Sequence, residues 1–195
     1  KAILKLIHKG QLESILNRIG RMPLPPYIRR KVNEDENLSK QDRERYQTVF
    51  ARNAGVIAAP TAGLHFTPHI IKSLKNYSID TTYLTLHVGV GTFQPIRTET
   101  ISEHKMQAEQ FYVPEDTSRA ILEAKKNARN IVGIGSTTTR VLESVELSTL
   151  KLGEIPGWTD RFIFPGHKFE VVDYMLTNFH LPKSTLYLLV CAFAG

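Results

Sequence analysis

"NIVGIGSTTTRVLESVE" (residues 130–146) decides how this chain is read. Ile131, Val132 and Ile134 suit a short buried strand, and the glycines at 133 and 135 suit a tight exit from it. The hydroxyl-rich "STTT" then opens a helix that carries Arg140. Strand, glycine turn and helix in immediate succession mark one unit of an α/β fold.

Working outward, the same alternation repeats. Upstream, "DTSRAILEAKKNARN" (residues 116–130) reads as a helix capped near Asp116 or Thr117, with Ile121, Ala124 and Ala128 on one face. "DTTYLTLHVGVG" (residues 80–91) is β-branched and aromatic, as a strand would be. Thr67 and Pro68 supply a cap and a first-turn proline for a helix whose core face is Ile70, Ile71 and Leu74. "GVIAAP" (residues 55–60) is a buried strand candidate. A further helix is expected after Ser39, with Tyr46, Val49 and Phe50 as its stripe. Downstream, strands are expected around residues 162–164 and 171–176, followed by a buried segment from Leu186. The expected fold is therefore α/β, with a mostly parallel sheet flanked by helices.

The N-terminal stretch differs. Ala2, Ile3, Leu4 and Leu6 suit a strand turned by Gly10, and Leu12, Ile15, Leu16 and Ile19 then follow a helical spacing. "MPLPPYI" (residues 22–28) carries three prolines and reads as a stiff seam. The charged run at residues 29–45 reads as a solvated connector.

Composition sets wide bounds. The chain has 195 residues, 42% hydrophobic and 23% charged, which is ordinary for a globular protein. Its longest apolar run, residues 186–194, is far short of the about 20 residues that span a bilayer. Cys191 stands alone, so the chain can build neither an internal disulfide nor a cysteine-based zinc site. The net charge of +6 is compatible with a polyanionic partner.

Four polar clusters follow strands, where ligands of α/β proteins bind. The first holds Thr61, Gly63, His65 and Thr67. The second holds His87, Gly89, Gly91 and Thr92. The third holds Gly135, Ser136, Thr137, Thr138 and Arg140, and suits an anion or carboxylate at a helix start. The fourth, "TNFHLPKST" (residues 177–185), holds Thr177, Asn178, His180, Lys183, Ser184 and Thr185. His104 and Glu109 add the composition of an acid–base pair. Asp173 stands between Val172 and Tyr174, where a charge requires a partner. No metal motif of the HExxH kind is present. Together the clusters predict one extended site for a polar, partly anionic ligand.

Six stretches, "GRMPLPPYI", "RYQTVFA", "AAPTAGLHFT", "LHVGVGTFQPI", "GSTTTRVLES" and "TNFHLPKSTLYLLVCAFAG", resemble the S-adenosylmethionine:tRNA ribosyltransferase-isomerase family of queuosine biosynthesis. They occur in the family's order. The resemblance implies an α/β domain interrupted by a small β-barrel. Residues 1–21 would be the remnant of that barrel domain and a connector, and residues 22–195 the α/β catalytic domain. It further implies a partial chain, lacking an N-terminal part, most of the barrel and the usual C-terminal segment. Gln107 stands where the family usually has histidine, so His104 and Glu109 carry that motif.

The implied reaction transfers and isomerises the ribosyl part of S-adenosylmethionine onto 7-aminomethyl-7-deazaguanine in the tRNA anticodon. It gives epoxyqueuosine-tRNA, adenine and methionine. Such chemistry needs a base for the C5′–H next to the sulfonium and an acid for departing adenine, and calls for no metal or other cofactor. Catalytic candidates are His65, His87, His104 and His180. Substrate-binding candidates are Thr61, Gly63, Gly89, Gly91, Thr92, Gly135, Thr137, Thr138, Arg140, Asp173, Asn178, Lys183 and Ser184. Arg140 is a candidate for a carboxylate or phosphate, and Lys183 with residues 29–31 for tRNA phosphates. A cytoplasmic enzyme is expected, with tRNA and S-adenosylmethionine as partners, no membrane, and a monomer favoured. Two rivals stand beside this reading. A methyltransferase lacks its Rossmann glycine loop here, and a non-catalytic RNA-binding module would want a stronger basic and aromatic stripe.

Overall fold

The computed structural model describes residues 5–24, 28–30, 36–53, 58–89, 95–145 and 153–195. The chain forms two compact units, Lys1–Tyr46 and Gln47–Gly195.

In the first unit, helix α1 spans Leu12–Ile19, entered through Gly10 at φ +97°. The positive φ suits glycine, which lacks the Cβ that would clash there. Helix α2 spans Glu36–Arg45. It begins ahead of Ser39 and ends before Val49 and Phe50, so these residues are not its stripe. Arg43 and Arg45 in the last turn complement the negative end of the helix. Arg43 donates to the Asn17 carbonyl at 2.6 Å and to that of Gly20, tying α2 to the end of α1. Arg30 grips Asp42 through two bonds of 2.9 and 2.8 Å, so this arginine of the basic run has an internal partner. Residues 5–8 form no strand, and residues 1–4 lie outside the described set.

In the second unit, a 3-10 turn at Thr61–His65 leads to helix α3, Pro68–Asn76. Thr67 caps α3 by accepting from the Ile70 N–H at 3.2 Å, with Pro68 at the first helical position, as its sequence predicts. Then come strands β1 (Thr85–Leu86) and β2 (Glu109–Val113), and helix α4 (Glu115–Lys126). Strand β3 (Val132–Ile134) and helix α5 (Ser136–Leu142) follow the stretch that opened the reading. Strands β4 (Ile155–Thr159) and β5 (Tyr174–Leu176) and helix α6 (Thr185–Ala194) complete the order.

The architecture is α/β, but its larger described sheet is antiparallel, in the order β1-β2-β4. Parallel pairing, expected for most of the sheet, occurs among the described strands only between β3 and β5. The difference arises from β2 and β4, which pair with each other over five residues. Residues 162–164 form no strand. The rings of Phe162 and Phe164 instead pack at a tilt of 44°, with centroids 5.2 Å apart. Of the "GVIAAP" candidate, residues 58–60 form no strand and residues 55–57 lie outside the described residues.

A single core joins both sheets. Leu86, Val88, Phe111 and Val113 from the antiparallel sheet meet Ile121 of α4, Val141 and Leu142 of α5, and Val171 and Val172 ahead of β5. Helix α5 lies between the sheets and packs on β3, β5 and β1. It therefore fixes the spacing between the two sets of strand ends. Among the described residues, no helix is long and apolar enough to cross a membrane.

Candidate functional site

β3 and β5 run side by side, so their carboxyl ends deliver clusters three and four to one place. The Gly135 N–H donates to the Leu176 carbonyl at 2.7 Å, locking the two strand exits together. Gly135 has φ +92°, and a methyl placed on it would stand 3.7 Å from the Ala62 methyl. That brings the Thr61–His65 turn alongside. His65 Nε2 and Asn178 Oδ1 are 3.2 Å apart, a bond that requires the hydrogen on Nε2. Thr177 Oγ1 and His180 Nε2 are 3.0 Å apart. Clusters one, three and four thus meet. Beside the fourth cluster the Ile96 N–H donates to the Lys183 carbonyl at 2.9 Å and Pro95 bridges Ser184.

Within this assembly several side chains have internal duties. Thr138 Oγ1 donates to the Ile134 carbonyl at 2.9 Å, and Thr139 Oγ1 to that of Gly135 at 3.2 Å. The first of these back-bonds occupies a hydroxyl, that of Thr138, expected to face an anion. Thr137 is half-buried in the first turn of α5. Gly63 is needed for packing, because a Cβ there would meet Phe50 and Thr48 at 2.8 Å. Ser184 caps α6, accepting from the Tyr187 N–H at 3.1 Å and donating to the Leu181 carbonyl at 2.6 Å. Lys183 is exposed, at φ +62°.

Two candidates are placed differently from their expected roles. Arg140 does not reach out from the glycine turn. It is 2% exposed and runs inward, with Nη1 2.8 Å from Glu109 Oε2 and Nε donating to the Arg161 carbonyl at 3.2 Å. Asp173 lies at the amino end of β5, opposite the site. It accepts from the Ile131 N–H at 2.8 Å and pairs with Lys125 at 3.1 Å. Partial burial pushes its carboxyl up, but the Ile131 N–H and Lys125 outweigh burial and hold it below the ordinary value. Its partners are structural.

His104 packs edge-on against Phe162 with ring centroids 5.0 Å apart. His87 lines a cavity of about 390 Å³ with Gly89, Ala108, Glu109, Gln110 and Trp158. Gly91 and Thr92 lie outside the described residues. A larger cleft of about 580 Å³, along Val49, Ile71, Lys72, Lys75 and Ile79, contains none of the cluster residues. Among the described residues, no group of three or more His, Cys, Asp or Glu could hold a metal ion.

Glu109, read from the sequence as an acid–base partner of His104, is instead bonded to the Gly89 N–H and to Arg140. It is 3% exposed, and its Oε1 accepts from the Gly89 N–H at 2.7 Å while Oε2 holds Arg140. It couples the second cluster to the third. The signal for this inward placement was present in β2, whose period of two puts Glu109 on the same face as buried Phe111 and Val113.

Burial holds the His180 imidazole below its ordinary value of 6.5. The unfolded chain therefore takes up this proton first. Any contribution to stability is intact above 6.5 and erodes as pH falls through 6.5 toward the folded value. An NMR titration is expected to put the His180 midpoint below 6.5, and His180→Gln to flatten that part of the acid stability curve. A midpoint at or above 6.5 contradicts the burial of the ring.

Fold and site together define an α/β protein with a composite polar site at the exits of its parallel strands, joined by a buried ion pair to a second, antiparallel sheet. The chain belongs to the queuosine biosynthesis protein family, whose model matches residues 1–195. It is 49% identical over 191 residues to the S-adenosylmethionine:tRNA ribosyltransferase-isomerase of Natranaerobius thermophilus, covering 98% of this chain and 53% of that protein. It is 48% identical over 193 residues to the enzyme of the same name from Halothermothrix orenii, covering 99% of this chain and 54% of that one. A solved structure, the S-adenosylmethionine tRNA ribosyltransferase of Thermotoga maritima at 2.00 Å resolution, matches with a TM-score of 0.54 and 41% identity, over 69% of this chain and 41% of that one. The chain spans about half the length of the curated relatives it matches.

Proposed function

We propose that this chain forms the α/β catalytic part of an enzyme that transfers and isomerises the ribosyl group of S-adenosylmethionine onto 7-aminomethyl-7-deazaguanine of a tRNA anticodon, releasing adenine and methionine. The observation that carries the reading is the meeting of three clusters through the Gly135–Leu176 and His65–Asn178 bonds, in a chain whose relatives bear that activity's name. The sulfonium acidifies the C5′–H, so a neutral imidazole nearby can take that proton. His65 and His87 are the candidates for this base. His180, whose burial favours the neutral ring, becomes an acid for departing adenine only after gaining a proton in the complex. Asn178 and Thr177 orient the two rings at this site, and Lys183 stands exposed for a phosphate. In this reading residues 1–21 belong to a barrel domain, and the enzyme works as a cytoplasmic monomer with no metal.

The test is a chimera in which residues 1–195 replace the matching segment of the Natranaerobius relative. It is given S-adenosylmethionine and tRNA bearing the deazaguanine, and adenine and the anticodon nucleoside are read by mass spectrometry. Adenine release with an epoxycyclopentanediol adduct is the expected result. A chimera that is folded by circular dichroism and leaves the cosubstrate intact, beside an active parent, overturns the reading.

A further inference from the structure

The chain's one tryptophan faces outward on the second sheet. Trp158 is 68% exposed, while its neighbours in β4 point the other way, Thr159 being buried. The strand register explains why. Leu86, Phe111 and Gly157 stand opposite one another and face the core. A Cβ on Gly157 would lie 2.5 Å from the Phe111 ring, so that ring fills the space beneath β4. The next positions alternate to the other face. Gln110 stands opposite Trp158, and the Gln110 carbonyl accepts from the His87 N–H at 2.9 Å. His87, the residue after β1, therefore forms one row with Gln110 of β2 and Trp158 of β4, about 10 Å long by two cross-strand spacings.

The row lines the 390 Å³ cavity with Gly89, Ala108 and Glu109. His87 Nδ1 is shielded from solvent and has no hydrogen-bond partner among the described residues. A buried ring nitrogen without a partner is uncommon and costly, and a ligand that supplied one would remove that cost. The other lining side chains are polar or very small, which does not suit an aliphatic protein segment. An exposed indole beside an amide and an imidazole suits a flat heterocycle with polar edges, because its face can stack while its rim hydrogen-bonds.

We propose that this row is a nucleobase platform, with the base stacked on Trp158 and its edge turned to His87 and Gln110. The proposal rests on the function proposed above and names where a base of one of its two substrates sits. The shared chemistry is a purine-like ring. Its source is either the adenosyl group of the cosubstrate or an unstacked base of the RNA loop.

Because Trp158 is the only tryptophan, its emission reports on this row alone. The 195-residue chain is titrated with S-adenosylmethionine, with adenosine, and with an anticodon stem-loop bearing 7-aminomethyl-7-deazaguanine, with equilibrium dialysis in parallel. One source is expected to change the emission saturably, in step with dialysis. Trp158→Ala should weaken binding of that ligand roughly five- to hundredfold, with the thermal melt unchanged, and Trp158→Phe should restore most of the loss. A response to adenosine and S-adenosylmethionine assigns the cosubstrate base, and a response to the stem-loop assigns the RNA base. Binding without an emission change, binding indifferent to Trp158→Ala, or no binding of any of the three overturns the platform. The chimera's adenine release is read independently. An active chimera indifferent to Trp158→Ala removes the platform alone, whereas an inactive one removes the reaction.

Discussion

Replacing Arg140 by methionine is expected to destabilise the second unit by about 3 to 5 kcal/mol in chemical denaturation. The two charged side chains are each 3% exposed, and Arg140 Nη1 lies 2.8 Å from Glu109 Oε2. Taking two charges out of water is unfavourable, and close pairing is what offsets it. Removing the guanidinium leaves the Glu109 carboxylate in the interior without the Arg140 charge 2.8 Å away, and a buried charge is costly when a close partner is removed. Glu109→Leu should do comparable damage, for it strands the arginine and frees the Gly89 N–H that the carboxylate holds at 2.7 Å. The double replacement, Glu109→Leu with Arg140→Met, removes both charges together and should recover much of the loss, since apolar side chains of similar volume often replace a buried pair at little net change. Single variants of unaltered stability, or a double variant as unstable as the sum of the singles, would show that the pair does not hold the sheets together. The contact ties Gly89 of the second polar cluster to the helix that carries the third, so function should fall with stability.

The fate of Arg140 also marks where sequence reasoning stopped. Strand, glycine turn and helix at residues 130–146 were legible because each signal is local: a short apolar run, a glycine that tolerates φ +92°, and a hydroxyl-rich helix start. What an arginine on that helix touches is not local. Its partner lies 31 residues away on β2, a strand that charged and polar neighbours concealed. β4 was hidden for a different reason. Pro156 and Gly157 both argue against a strand, yet the order β1-β2-β4 makes β4 an edge, where a missing proline N–H is tolerated. With β2 and β4 unseen, the remaining strands alternated with helices and suggested parallel pairing. The segment at residues 162–164 had the composition of a strand, but its aromatic rings pack among themselves. Of the four clusters, residues of the first, third and fourth meet, while His87 follows β1 of the other sheet, its N–H on the Gln110 carbonyl. Asp173 was expected to need a partner and has two, at the amino end of β5.

Glu143→Ala should be the more damaging change, at about 3 to 6 kcal/mol, and its effect should appear first at residues 170–172. One carboxylate accepts three backbone N–H groups there: Glu170 at 3.0 Å on Oε2, and Val171 and Val172 at 3.0 and 2.9 Å on Oε1. Val171 and Val172 are 1% and 4% exposed, so water cannot take over those donors without opening the core. An unsatisfied buried N–H costs about 1 to 3 kcal/mol, and those of Val171 and Val172 are orphaned together, beside the part-buried one of Glu170. Glu143→Gln should fall between wild type and alanine. Its amide keeps one acceptor oxygen, but its NH₂ group would face donors it cannot accept from. Hydrogen exchange separates this account from a general loss of packing. If Glu143 anchors the segment entering β5, the amides of residues 170–172 lose protection at denaturant concentrations where α4 remains protected. Loosening there should also spread along β5 to its exit, because Asp173 and Tyr174 bond to the Ile131 carbonyl and Leu176 bonds to Gly135. The His65–Asn178 contact would then lose its register, and the polar site would disperse while the antiparallel sheet stayed intact. Equal protection of residues 170–172 in Glu143→Ala and wild type would refute the anchoring role.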